Sequence, residues 1–85
     1  MIDVKIEVSQ VGGGWKQIAC DVVHHDDGSP VLQVPAREDE LFPSQEIALA
    51  ALKGRVAFEL QQNHIHESGD SVRWHITIHS PETNR

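Results

Sequence analysis

The sequence predicts an α+β fold, a three- to four-stranded and mainly antiparallel sheet packed on one helix, in the order β-β-β-α-β. Two alternating stretches and a helical one between them predict it. Ile2, Val4, Ile6 and Val8 alternate with Asp3, Lys5, Glu7 and Ser9, and later Val72, Trp74, Ile76 and Ile78 alternate with Arg73, His75, Thr77 and His79. A period of two is what a strand needs to bury one face and leave the other to water. Between them, residues 44–63 hold good helix formers behind a capping serine. The 85 residues read as a single small domain, 1–85, near the lower size at which one hydrophobic core suffices without disulfides or metals.

Taken in order, the first strand ends at Gly12-Gly13-Gly14, where the chain can reverse because glycine reaches positive φ without steric cost. The run from Trp15 then reads as the second strand of a hairpin, with Ile18, Cys20 and Val22 expected on one face and Gln17, Ala19 and Asp21 on the other. Asp27-Gly28 is a turn signal, Pro30 fits a turn or the first residue of an edge strand, and residues 31–34 are expected as a short third strand. Residues 35–43, with proline at both ends and charges from Arg37 to Glu40, read as a surface loop. Ser44 is the expected N-cap, and Glu46 in the first turn complements the helix dipole. One helix from Ser44 to Asn63 is expected, weakly interrupted at Gly54, since an interior glycine costs only ~1 kcal/mol. A rival reading ends the helix at Gly54 and turns residues 55–66 into a strand paired with the last one. Trp74, in register with Ile76 and Ile78, is expected in the core.

Composition narrows the function classes. Thirteen acidic against seven basic residues leave a formal net charge of −6, which repels phosphate backbones, so no nucleic-acid partner is expected. The alternating N-terminus lacks the basic start and apolar run of a secretory signal, and no segment has the apolar length of a membrane span, so no membrane partner is expected. Cys20, the single cysteine, allows no intramolecular disulfide, and a cytoplasmic location is expected.

Four of the six histidines fall between His64 and His79, which raises the question of a metal site. On a strand His75 and His79 share a face but stand about 13 Å apart, too far to chelate one ion as a pair. His64 and His66, if extended, would share a side, with His75 a possible third ligand across the turn; these three are the candidate metal set. Against it stands the reading of all of them as polar residues on the exposed side of a half-buried sheet, and no stoichiometric zinc is expected. In "HHDDG", turn chemistry accounts for Asp26 and Asp27, and His24 and His25 face opposite sides of a strand end. The glycines of "VGGGWK" lack the spacing of a phosphate loop and precede a strand. Cys20 sits on an apolar strand face with no neighbour to lower its pKa, and Ser44 has a capping role, so no catalytic residue is named and no cofactor is expected.

The strand order leading into "LFPSQEIALAAL", where Phe42, Ser44, Glu46 and Ala48 form an F-x-S-x-E-x-A pattern, resembles small bacterial domains of unknown function and, in outline, antitoxins of the HicB type. The resemblance covers the middle of the chain, its motif mostly encodes a helix start, and it carries no functional residue over.

What remains is a small non-catalytic protein-interaction or regulatory module, with a histidine-based metal-binding protein as the alternative. The helix suggests how it would interact. Ile47, Ala51, Gly54 and Phe58 gather on one side, and Leu49, Leu52, Val56 and Leu60 on nearly the opposite side. A helix apolar on both sides needs a cover for the second, and a homodimer would provide one, beside any unidentified protein partner; the alternatives are that the C-terminal strand or the acidic loop folds over it, or that the helix ends at Gly54 and no second stripe forms. The outer stripe is expected to be Leu49, Leu52, Val56 and Leu60, because small Ala51 and Gly54 suit close packing on a sheet. Trp15, beside the glycines, is the aromatic expected at a partner surface if either tryptophan contacts one, with packing against the core the alternative reading.

Overall fold

Residues 2–24, 30–63 and 72–80 are described by the computed structural model. They form β1 (Ile2–Val11), β2 (Gly14–His24), β3 (Pro30–Gln33), α1 (Gln45–Gln62) and β4 (Val72–His79). The strands lie in one sheet in the order β3-β2-β1-β4. β2 is antiparallel to both β1 and β3, whereas β4 runs parallel to β1, so the sheet is mixed with antiparallel pairs in the majority. Parallel neighbours cannot be joined by a tight turn, and α1 supplies the crossover that carries the chain from the β3 edge to the β4 edge.

β1 is the central strand, and its alternation is realised as expected: Ile2, Val4, Ile6 and Val8 are all buried. At its end Gly12 and Gly13 have φ of 56° and 83°, the paired positive values of a two-residue hairpin turn that matches strand twist. Gly14 matters for a different reason. A Cβ there would lie 3.1 Å from the Phe42 carbonyl oxygen and 3.3 Å from the Leu41 Cβ, so a side chain at this position would press the loop before α1 outward by a few tenths of an ångström. That approach is fixed by two hydrogen bonds, Trp15 N–H to the Phe42 carbonyl at 2.8 Å and Phe42 N–H to the Trp15 carbonyl at 2.9 Å.

β2 departs from the simple alternation. Glu7 pairs with Ala19 and Val8 with Gln17, which leaves Ile18 as an extra residue in a bulge. The bulge exchanges the faces on its N-terminal side: Ile18 is 50% exposed, while Gln17 is 3% exposed. Cys20 and Val22, beyond the bulge, keep their expected place in the core. The Asp27-Gly28 turn lies outside the described residues, but the antiparallel β2–β3 pair and the position of Pro30 at the start of an edge strand are as expected.

α1 is continuous through Gly54, so the reading that ended it there is corrected. Ser44 caps it, its Oγ accepting from Ile47 N–H at 3.1 Å, and Asn63 closes it with its side-chain amide donating to the Glu59 carbonyl at 2.8 Å. The assignment of its two apolar stripes is reversed. Leu52, Val56 and Leu60 are fully buried with Ala48 against the sheet, and Leu49 is half-buried at their margin. The solvent side carries Ile47, 49% exposed, and Phe58, 57% exposed, with Gly54 open to space. Volume decides this. A helix lies roughly 10 Å above a sheet, a gap that branched side chains fill and that alanine and glycine would leave empty. Trp74 is corrected as well: it is half-buried, packed on the margin of the core.

Candidate functional site

Three regions of the described structure carry polar or exposed apolar groups in a defined arrangement. The first is the sheet face turned away from α1. There β4 is tied to β1 by side chains in ladder register, Asp3 opposite Arg73 and Glu7 opposite Thr77. Arg73 Nε donates to Asp3 Oδ1 at 2.9 Å, His75 Nε2 lies 3.3 Å from the same oxygen, and His79 Nε2 lies 2.7 Å from Glu7 Oε2. Lys5, Glu7, Ala19, Asp21, His75 and Thr77 line a shallow, open depression of about 270 Å³ on this face. The arrangement clamps β4 to β1.

The metal candidates divide. His75 is on this outward face beside Asp3, while His64 and His66 lie outside the described residues. Among the described residues no three metal-ligating side chains converge.

The second region joins β2, the loop and α1. Gln17, brought inward by the bulge, donates through Nε2 to the Val34 carbonyl at 2.8 Å and accepts at Oε1 from Arg55 Nη1 at 2.9 Å. Arg55 Nη2 reaches Glu40 Oε1 at 2.6 Å. Each polar group here has a partner, so the network is structural. Arg37 to Glu40 had read only as a solvated run, and the partner of Glu40 was not visible because the bulge that positions Gln17 has no compositional mark. Cys20 lies near this network and is buried; burial first, and then the Asp21 carboxylate, push its thiol up to about 11, against a smaller opposing pull from Arg55. Burial and the raised pKa both disfavour its thiolate at neutral pH.

The third region is the β4 edge. Among the described residues no strand lies on the outer side of β4. Its ladder with β1 runs from Val72 to His79 without a register shift, and it contains no proline. On the face shared with α1, Val72, Trp74 and Ile76 are half-buried and Ile78 is 41% exposed. Lys53 of α1 lies over Trp74, its Nζ 5.1 Å from the ring centroid, so the aromatic face is capped by a cation and not by an apolar side chain. The opposite edge contrasts with it. β3 has four residues, opens with Pro30 and has an irregular register with β2, three features that blunt an edge against pairing.

Of the expected interaction residues, Leu52, Val56 and Leu60 belong to the core and Leu49 to its margin. Trp15 is half-buried and held by its backbone bonds to Phe42. The exposed apolar groups are others, notably Ile47 and Phe58 on α1, Ile78 on β4, and Val11 and Leu41 at the hairpin end. No protein family, curated protein or solved structure matches this chain.

Proposed function

We propose that this chain is a small non-catalytic protein-interaction module that works by strand addition at the outer edge of β4. The observation that carries the reading is the asymmetry of the two edges: β3 is short and proline-headed, while β4 is eight residues long, regular and flanked by a half-exposed apolar row. An added strand would satisfy the outward backbone groups of β4 and set alternate side chains against Trp74, Ile76 and Ile78. Main-chain bonds would supply affinity and the apolar row selectivity.

A synthetic eight-residue peptide alternating valine and threonine, unrelated to β4, titrated into isotopically labelled protein, tests the reading. Saturable chemical-shift changes are expected along β4 and at Lys53. Absence of any change at β4 at about 1 mM peptide, where even weak association registers, would overturn it.

A further inference from the structure

We propose that the strand added at β4 is the β4 of a second copy, antiparallel about a two-fold axis that passes through His75, so that two four-stranded sheets become one. The inference rests on the strand-addition reading above and goes beyond it by naming the occupant and the register.

Charge does not oppose a copy at this edge. The chain carries a net charge of −6, so two copies repel wherever carboxylates meet. β4 has none: its outward row is Arg73, His75, Thr77 and His79, with Asp3 and Glu7 of β1 set one strand back. Area is sufficient for a weak dimer. Eight residues span about 26 Å at ~3.3 Å each. One sheet layer is about 10 Å thick, so the edge offers roughly 260 Å² per copy, in the range of a weak, concentration-dependent association.

Self-pairing is also chemically consistent in one register. An axis through His75 sets Trp74 opposite Ile76 of the second copy and Val72 opposite Ile78, aromatic and branched pairs of the kind that stabilise adjacent strands. It sets Arg73 opposite Thr77. Moving the axis to Ile76 would set Val72 opposite Ser80, so the His75 register, with His75 opposite its own copy, is the one that pairs all four apolar residues of the row.

Sedimentation equilibrium of the full chain from about 10 µM to about 1 mM tests this, with circular dichroism to confirm that each variant is folded. The mass is expected to rise from 9.5 kDa toward twice that value. Ile78→Lys should hold the monomer, and Phe58→Lys, on the far side of α1, should leave the association unchanged. Thr77→Lys, facing Arg73 of the second copy twice per dimer, should weaken association roughly tenfold, and the uncharged Thr77→Val should leave it unchanged. A monomer throughout would overturn the second copy while leaving strand addition to the peptide titration. A dimer dispersed by Phe58→Lys but not by Ile78→Lys would overturn it in favour of the helix. Equal effects of the two Thr77 variants would overturn the register.

Discussion

Replacing Leu52 by alanine should remove a large part of the stability of this domain, and replacing Phe58 should remove little. Leu52 is 0% exposed at the centre of the helix–sheet layer. Truncation takes away about 2–2.5 kcal/mol of transfer free energy and leaves a cavity that a sheet and helix pinned by the Gln17–Arg55–Glu40 network can close only partly. The expected loss is ~3–4 kcal/mol. Domains of this size have a total stability of about 4–13 kcal/mol, so the melting temperature should fall by roughly 15–20 °C. Phe58, more than half exposed, should cost no more than ~1 kcal/mol on truncation. Urea unfolding followed by circular dichroism at low micromolar protein reads both, with the denaturant slope expected to stay constant. A Phe58→Ala loss equal to or larger than that of Leu52→Ala would refute the assignment of the inner stripe. Val56→Glu, a charge placed in the same layer, should prevent folding.

Three further outcomes are expected. Arg55→Met strands the buried Gln17 oxygen and should cost ~1–3 kcal/mol, with a Gln17–Arg55 double-mutant cycle showing coupling above about 0.5 kcal/mol; strict additivity in urea unfolding would contradict the network. Gly54→Ala, with no atom within 4 Å of the added methyl, should raise stability by ~0.5–1 kcal/mol in a thermal melt, and a loss would show that Gly54 has a packing neighbour. The Cys20 thiol, raised from 9.0 to about 11, keeps its proton in the folded chain where the unfolded chain has lost it. The Cys20 contribution should therefore be constant below pH 9 and stability should decline as pH rises through 9 to 11, by up to ~2–3 kcal/mol from this group, and Cys20→Val should remove that part of the alkaline slope in pH-dependent unfolding.

The strand and helix periods were legible because they record local geometry. The alternation of Ile2, Val4, Ile6 and Val8 survives intact because β1 is paired without irregularity along those residues on its β4 side and sits at the sheet centre. Ser44 opens α1 where the capping chemistry placed it, and the helix runs to the expected end near Asn63. Strand order was less accessible, since an alternating strand reads the same at an edge as in the centre. Hence Trp74 was expected in the core although β4 is the last strand of the sheet. The Ile18 bulge is a register property of two paired strands, and neither strand alone encodes it. The stripes of α1 were both recognised, and their assignment failed because closeness of approach was weighed above the volume that a helix–sheet layer must fill.

Exchange of the β4 backbone amides for deuterium, read by NMR at about 20 µM and about 1 mM protein, tests the central claim most directly, because it observes the edge itself. In a parallel pair alternate amides of β4 point to β1 and the others point outward. The account predicts that the inward set is protected at both concentrations, while the outward set is protected only at the higher one and loses that protection in Ile78→Lys. Outward amides that exchange equally fast at both concentrations, or that stay protected in the Ile78→Lys monomer, would contradict it.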